Sequence, residues 1–206
     1  MNEPVSRPHL DRTVIPEGIA PDAAQTWPPR ELIDSFLGSF DFSATTDVGT
    51  EELTEFRSVL GRFATGVTVV TSATADGLVG MTCQSFSALS LRPPLVMFAP
   101  ARTSRAWPLI HRAGHFTVNL LAADQEDLST NFAISKADKF AGVDWTPSED
   151  HGDPRLAGCV GWIDCKVHNV HAEGDHYIVV GRVLSLVEGV SGEPLLFYRS
   201  GYRHLD

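Results

Sequence analysis

Short runs of β-branched and aliphatic residues, separated by turn residues, make up most of the chain after residue 65. Such runs are typical of β-strands, where alternate side chains face a core. Asp76-Gly77 and Gly174-Asp175 are dipeptides that favour tight turns, so each predicts that the runs on either side of it pair as a hairpin. The predicted strands cover residues 67–75, 78–91, 95–99 and 115–121, followed by a strand-rich segment over 156–200.

Apolar residues at helical spacing predict three short helices in the same part of the chain. Residues 103–112 look helical if Pro108 takes an early position, where a missing N–H does no harm. Residues 123–133 predict another helix, with Asp124 as its cap. The first helix covers residues 51–63, with Thr50 as its cap and an apolar stripe of Leu53, Phe56, Val59, Leu60 and Phe63.

The leading 52 residues differ from the rest of the chain. They hold six of the thirteen prolines, and ten acidic residues against three arginines. This composition predicts an extended acidic arm over residues 1–52 and a folded domain over 53–206. Within the arm, RELIDSFLGSFDF (30–42) has the spacing of one short amphipathic helix. Such a helix either packs on its own domain or dimer, or docks on a partner protein; packing is the commoner use and is favoured here.

Composition excludes several classes of protein. The chain of 206 residues is 43% hydrophobic, which suits one domain with a buried core. No apolar stretch approaches the ~20 residues that cross a bilayer, and no secretory signal is visible at the start. The net charge of −10 argues against nucleic-acid binding. Three cysteines without a paired framework or metal-ligand spacing predict reduced thiols in the cytoplasm and no metal site.

The order of the elements predicts the fold class. Mostly sequential strands with tight turns and a few short helices predict a mainly β protein, an antiparallel barrel with peripheral helices. A dinucleotide-binding α/β fold is not indicated, because no G-x-G-x-x-G motif follows a strand and opens a helix.

Hydroxyl and amide side chains are concentrated in the segment GMTCQSFSALSLRPPLVMFAP (80–100). At a strand end they are neutral donors suited to a heterocyclic ring edge, a hydroxyl or a phosphate. Ser104 and Arg105 begin the next predicted helix, where backbone N–H groups and a guanidinium could hold a phosphate. An edge strand with solvated hydroxyls and a helix cap at Thr103 or Ser104 explains the same residues, and periodicity alone favours that interpretation.

Two longer segments favour the ligand-binding interpretation of these residues. FRSVLGRFATGVTVVTS (56–72) and DGLVGMTCQSFSALSLRPPLVMF (76–98) resemble the opening of the flavin reductase family, which has the FMN-binding split-barrel fold. The resemblance continues through FTVNLLAADQEDLSTNFA, KFAGVDW, EGDHYIVVGRV and PLLFYRSGYR, over residues 53–203. Each motif is weak alone, but their shared order is specific. The resemblance implies a split Greek-key barrel and a homodimer with its flavin pocket at the subunit interface.

The resemblance also implies where flavin binds. Cys83 and Gln84 stand where the family commonly has small residues and Ser or Asn, which leaves FMN against FAD open. The implied flavin contacts are Thr82, Cys83, Gln84 and Ser85 at the isoalloxazine and ribityl chain with Ser87 close by, Phe98, Ala99 and Pro100 as a second wall, Ser104 and Arg105 at the phosphate, and Asn131 and Phe132 from the third helix.

A second implied site is the late hairpin that meets the nicotinamide nucleotide. Its residues are Gly174, Asp175 and His176, with His176 near the carboxamide or ring as the residue closest to the chemistry. Tyr198 and Arg199 would close over the same pocket. Tyrosine offers a stacking face, and arginine a charge for the pyrophosphate.

The activity implied by the resemblance is an NAD(P)H-dependent flavin reductase. Hydride would pass from NADH, with NADPH as the alternative, to FAD or FMN, and the reduced flavin would leave for a partner flavin-dependent monooxygenase. The cofactors supply this chemistry, so the protein needs to stack two rings and stabilise developing charge, without a compulsory acid or base. Two alternatives remain: a flavoprotein of the same fold that keeps its flavin and reduces a substrate directly, and a non-catalytic flavin-binding module.

Overall fold

The computed structural model describes residues 50–134 and 138–205, with side chains from Thr54 onward. Most of the predicted acidic arm, including its short amphipathic helix at 30–42, lies outside the described residues. No helix in the described part of the chain is long and apolar enough to span a membrane.

The described residues form three helices and twelve strands. The helices are α1 (Thr50–Leu60), α2 (Trp107–Ala113) and α3 (Glu126–Ala133). The strands are β1 (Thr65–Gly66), β2 (Thr68–Thr74), β3 (Gly77–Cys83), β4 (Ser87–Leu91), β5 (Pro94–Phe98), β6 (His115–Leu120), β7 (Trp145–Pro147), β8 (Pro154–Leu156), β9 (Gly161–Glu173), β10 (His176–Glu188), β11 (Leu196–Tyr198) and β12 (Gly201–Arg203).

Seven antiparallel strands form the main sheet, in the order β3-β2-β6-β9-β10-β5-β4. Its two outermost strands, β3 and β4, are consecutive in the chain and are joined only by residues 84–86. The edges of a flat seven-stranded sheet would stand about 29 Å apart, at ~4.8 Å per strand spacing. Four residue steps reach at most about 14 Å. The sheet must therefore curl until its edges approach each other, which confirms the predicted antiparallel barrel.

Both predicted hairpins are present. β2 pairs with β3 from Thr74 opposite Gly77, and β9 pairs with β10 from Glu173 opposite His176. Gly174 lies in the turn between β9 and β10 with φ +56°, a left-handed conformation that glycine adopts without steric cost.

The single strand predicted over residues 78–91 is wrong. The chain forms β3 and β4 there, at opposite ends of the sheet order, because residues 84–86 leave the ladder. The cap predicted at Asp124 is also wrong. α3 begins at Glu126 after Gln125, whose side chain accepts from the Ala122 N–H and donates to the Ala157 carbonyl. The helix therefore starts at Glu126, three residues later than the predicted range of 123–133.

Two apolar clusters lie on the two sides of the sheet. Inside the barrel, Phe98 packs edge-on against Trp107 of α2 and Phe116 of β6, with ring centroids 5.8 and 5.2 Å apart. Gly181 of β10 lies beneath Phe116, and a Cβ there would come 2.5 Å from its ring. Outside the barrel, α3 and the C-terminal segment cover the second cluster: Val67, Val69, Leu121, Phe132, Leu156, Cys159 and Leu195. The barrel wall is therefore buried on both faces at β2 and β6.

A buried ion pair ties β8 to this wall. Asp164 of β9 and Arg155 of β8 are hydrogen-bonded, and their side chains are 3% and 13% exposed. Thr117 and Ser185 each donate a further hydrogen bond to Asp164, both 2.6 Å long. Burial acts to raise the pKa of Asp164, but the hydrogen bonds from Arg155, Ser185 and Thr117 outweigh it, and the pKa is lowered. The carboxylate is therefore the stable form in the fold.

We expect Asp164→Asn to lower the free energy of unfolding at pH 7 by about 2–3 kcal/mol, because it leaves the Arg155 charge buried without its partner. A carboxyl whose pKa is lowered by folding contributes stability that is present above its unfolded pKa and is lost as pH falls through its folded pKa. The difference between wild type and variant should therefore persist from pH 7 to 5 and shrink below about pH 4. Urea unfolding at several pH values measures it. Asp144→Asn, on an exposed loop, is the control, and a difference that stayed constant into acid would contradict the assignment.

Candidate active site

A cavity of about 960 Å³ opens at one end of the barrel. Its wall comes from β3 and the following link, from residues 99–109 at the start of α2, from the end of α3 with the loop at 138–140, and from His176 at the start of β10. The volume is at the upper end of the range for small-molecule sites, which is roughly 300–1,000 Å³. The cavity is therefore large enough for a ligand with more than one ring system.

The structure brings about half of the predicted site residues to this cavity. They are Thr82, Cys83, Gln84, Ser85, Ala99, Ser104, Arg105, Phe132 and His176. The remaining predicted residues do not line it within this chain: Ser87, Phe98, Pro100, Asn131, Gly174, Asp175, Tyr198 and Arg199.

The residues outside the cavity have other contacts. Phe98 is fully buried in the barrel core, and the Asn131 amide donates to the Lys139 carbonyl at 2.6 Å. Ser87 donates to the Ala88 carbonyl on the far edge strand. Tyr198 and Arg199 lie on the β11–β12 hairpin, where the Arg199 N–H donates to the Gly61 carbonyl after α1. Within one chain, the β11–β12 hairpin therefore lies beside the end of α1, and Tyr198 and Arg199 do not line the cavity.

Ser85 holds the split edge of the barrel together. Its hydroxyl accepts from the Ala99 N–H at 2.8 Å and donates to the Ala99 carbonyl at 3.1 Å, which joins the 84–86 link to the end of β5. Cys83 lies 3.1 Å from the same oxygen, and burial raises the pKa of its thiol. The Ser85 hydroxyl therefore makes its hydrogen bonds within the protein. Ser85 can offer a ligand only its main chain.

Thr82 is held in place from the opposite side. Its hydroxyl donates to the Ser129 carbonyl of α3 at 2.6 Å. The Ser129 hydroxyl in turn accepts from the phenol of Tyr202, at 2.9 Å, and Tyr202 packs edge-on against Phe197. Hydrogen bonds thus join β3, α3 and β12, which are distant in the chain, at Thr82 of the cavity wall.

Two cationic residues are among those that line the cavity. Arg105 is the exposed cation that the sequence predicts, and Lys139 is one that it did not single out. The Lys139 ammonium donates to the carbonyls of Phe132 and Gly80, at 2.7 and 3.2 Å. Phe132 approaches so closely that a Cβ on Gly80 would come 2.6 Å from its ring. The sequence signal for Lys139 is the motif KFAGVDW, in which a lysine directly precedes an aromatic residue.

Ser104 begins the helical side of the cavity. Its hydroxyl accepts from the Trp107 N–H at 3.2 Å and donates to the Met81 sulfur at 3.6 Å. The helix cap predicted at Thr103 or Ser104 is wrong, because the N-cap position is Ala106 and the helix begins at Trp107. Pro108 occupies the first turn of α2, so the helix loses no hydrogen bond to it. The predicted helix over 103–112 is therefore present but shorter, over Trp107–Ala113.

His176 reaches the cavity from the β9–β10 hairpin. Ala101 forms a β-bridge with His176, and the Arg102 N–H donates to the Asp175 carbonyl, which fixes the hairpin against the 99–105 segment. The Asp175 carboxylate lies 2.7 Å from His176 Nδ1, and this hydrogen bond lowers the pKa of Asp175. With Nδ1 donating to the carboxylate, Nε2 is the ring nitrogen left for a ligand.

The donor set suits a flavin better than a metal. Among residues 54–134 and 138–205, no three His, Cys, Asp or Glu side chains form a metal-binding group. The polar segment 82–85, two cations and a histidine around a partly apolar cavity instead fit a planar heterocycle that carries a phosphate. The residues present therefore fit the flavin and nicotinamide nucleotide that the sequence predicts.

Comparison with known proteins gives a consistent result. Residues 60–206 match the family described as the flavin reductase like domain. The reductase subunit HsaB of a flavin-dependent monooxygenase from Mycobacterium tuberculosis is 51% identical over 153 residues, which are 73% of this chain and 81% of that protein.

Two solved structures extend the likeness to the fold. A homologue of nitrilotriacetate monooxygenase component B from Mycobacterium thermoresistibile is 47% identical, with a TM-score of 0.73 over 76% of this chain and 88% of that one. The NADH:FAD oxidoreductase SgcE6 of Streptomyces globisporus, in complex with NAD and FAD fragments, is 34% identical, with a TM-score of 0.73 over 77% of this chain and 96% of that one.

We expect Tyr202→Phe to weaken flavin binding although Tyr202 does not line the cavity. The variant keeps the ring packed on Phe197 but removes the hydrogen bond to Ser129, which supports Thr82. A hydrogen bond of this kind contributes about 1 kcal/mol, so the flavin Kd should rise roughly 5-fold. Quenching of flavin fluorescence measures it.

Tyr177→Phe removes a tyrosine hydroxyl from the barrel core, outside the cavity wall, and is the matched control. A flavin Kd equal to that of wild type in Tyr202→Phe would show that the three-element contact does not shape the site.

Proposed function

Because the chain belongs to the flavin reductase like domain family, we propose that it uses this cavity to transfer hydride from NADH to FMN or FAD, and that it releases the reduced flavin to a partner flavin-dependent monooxygenase. The observation that carries the proposal is the meeting of the segment 82–85, the cations Arg105 and Lys139, and His176 around one space.

Room for two rings at once supports hydride transfer within the cavity. A volume of about 960 Å³ exceeds the need of one flavin ring and leaves space for a dihydropyridine beside it. The nicotinamide supplies hydride from C4 and the flavin accepts it at N5. The chain's own contribution is to hold the rings together and to exclude water from the contact between them.

Each part of the wall has a distinct role in the proposal. The flavin edge where negative charge develops lies against the backbone of residues 84–86, which are outside the β-ladder, and no side-chain acid is needed to stabilise that charge. Arg105 and Lys139 bind the flavin phosphate. His176, oriented by Asp175, uses Nε2 to position the nicotinamide carboxamide. No step requires a general base, so the absence of a catalytic triad from the sequence is consistent with the activity.

Release of the reduced flavin fits the rim. Gln84, Ser85 and Arg105 are all exposed, so the flavin edge is bound at an open boundary rather than enclosed. In the proposal NADH is the hydride donor, as in the similar NADH:FAD oxidoreductase SgcE6, and NADPH is the alternative. The three cysteines are all free and buried, which suits a reducing cytoplasm.

The proposal includes a homodimer. Three apolar residues of α1, Phe56, Val59 and Leu60, and Phe63 just after it are between 53% and 75% exposed in the single chain. A soluble chain seldom leaves contiguous apolar residues open unless a partner covers them. Tyr198 and Arg199 lie next to this face through the Arg199–Gly61 hydrogen bond. Pairing through α1 would bring them to the neighbouring copy, where they could serve its cavity.

We expect the purified protein to be colourless and to oxidise NADH only when FMN or FAD is added. In His176→Ala, kcat/KM for NADH should fall roughly 10- to 100-fold, the loss of about 1.5–3 kcal/mol of hydrogen bonding, while the flavin Kd stays within about 2-fold. His171→Ala, exposed on β9 of the same hairpin, is the control. A protein that kept its flavin through purification would favour a flavoprotein that reduces a substrate directly, and flavin binding without NADH oxidation would favour a binding module.

We expect a double substitution, Phe56→Asp with Leu60→Asp, to convert a dimer to a monomer, because two charges on the apolar face cannot be buried at an interface without partners. Sedimentation velocity at micromolar concentration measures the state. Val190→Asp replaces another exposed apolar residue, on the loop after β10, and is the control. A double variant that sediments like wild type would exclude α1 as the interface.

A further inference from the structure

Among the residues the structure describes, two sulfur-bearing side chains line the cavity: Cys83, which is buried, and Met81, which is partly exposed and packs against the edge of the barrel core. It lies on β3 between Gly80 and Thr82, and the Ser104 hydroxyl donates to its Sδ at 3.6 Å. None of the roles proposed above for the wall uses this side chain. A thioether in such a place is open to oxidation by whatever oxidant forms beside it.

Such an oxidant follows from the proposed function, on which this inference rests. When a reduced flavin meets dioxygen, two electrons and two protons pass from the flavin to oxygen, which leaves oxidised flavin and hydrogen peroxide. A thioether then attacks one peroxide oxygen, the O–O bond breaks, the sulfur is oxidised to a sulfoxide, and the peroxide is reduced to water. No further reactant is required.

We propose that Met81 is a modification site, oxidised to methionine sulfoxide by hydrogen peroxide formed in the cavity, and that the oxidation weakens flavin binding. The sulfoxide oxygen is polar and must fit between β3 and the first turn of α2. It also competes for the Ser104 hydroxyl, whose oxygen accepts from the Trp107 N–H at the start of α2. Both effects displace the wall that faces the flavin.

The other sulfur atoms are poorer targets. Cys83 is 5% exposed, and burial raises the pKa of its thiol, which keeps it from the reactive thiolate form. Cys159 and Cys165 are fully buried, and burial raises the pKa of Cys159 to about 12. Met97 of β5 is partly exposed like Met81, but it does not line the cavity. Met97 is therefore the internal control for position.

The test is a turnover experiment on the full chain. The protein oxidises NADH with FMN in air while catalase removes peroxide from bulk solution, and peptide mass spectrometry then measures the gain of one oxygen at each methionine. Met81 should carry at least about 5-fold more sulfoxide than Met97, and neither should be oxidised under nitrogen. Equal oxidation of the two methionines, or none at Met81, would overturn the proposal.

Variants test the consequence. After turnover in air, the flavin Kd of wild type should rise several-fold above its own starting value, whereas that of Met81→Leu should stay at its starting value, since leucine has no sulfur to oxidise. Met97→Leu should behave like wild type. A rise in Met81→Leu equal to that in wild type would overturn the link between the modification and binding.

A separate arm distinguishes this proposal from the proposed function. Dilute hydrogen peroxide is added to the protein without flavin or NADH, and the two methionines are compared by mass spectrometry as before. Preferential oxidation at Met81, with a higher flavin Kd afterwards, supports the site even if NADH oxidation is never observed. Greater oxidation at Met97, or an unchanged flavin Kd after full oxidation of Met81, overturns it while leaving the reductase activity to stand on its own assay.

Discussion

The closure of the sheet is the constraint on which the rest of the structure depends. β3 and β4 stand at opposite ends of the strand order but are joined by three residues, so the sheet has to curl to bring them together. The link that closes the barrel is also the rim of the cavity. Its backbone leaves the ladder there, and the Ser85 hydroxyl, bound to both backbone groups of Ala99, replaces the ladder hydrogen bonds. The same three residues thus close the barrel and, at Gln84 and Ser85, line the cavity.

Packing on both faces of the wall gives the rim its rigidity. Inside the barrel, Phe98 packs against Phe116 and against Trp107 of α2. Gly181 has no side chain, which lets Phe116 pack directly against β10. Outside the barrel, Phe132 lies so close to Gly80 that any side chain at position 80 would collide with its ring. The cavity therefore lies between two close-packed layers, and a ligand bound there meets positions that neither layer can easily shift.

The sequence was most informative where interactions are local. Alternation, turn dipeptides and the position of Pro108 predicted the hairpins and the barrel, since each depends on residues near in the chain. The small β7–β8 sheet was missed because it is held by distant partners: the Asn119 amide accepts from the Leu156 N–H, and Arg155 reaches Asp164. The β11–β12 hairpin was missed because Arg199 and Ser200 take positive φ values, 49° and 60°, without the Asn or Gly that normally marks such a turn.

The same division holds for the site. Resemblance identified Ser85 and Thr82, but only the fold shows that their hydroxyls are committed to Ala99 and Ser129. Lys139 was missed because it reaches the cavity only when the loop at 138–140 folds back onto β3. No local sequence pattern predicts that contact.

The strained turn at Arg199 and Ser200 indicates what the C-terminal hairpin does. Two residues other than glycine in the left-handed region cost of order 1–3 kcal/mol each, and such a cost persists only where the surroundings enforce it. The enforcing contacts are the Arg199 N–H on Gly61 at one end and the Tyr202 phenol on Ser129 at the other. The hairpin therefore connects the exposed face of α1 to the α3 contact that supports Thr82. The face proposed for dimerisation and the wall proposed for flavin binding are thus joined through one hairpin, by the Arg199–Gly61 and Tyr202–Ser129 hydrogen bonds.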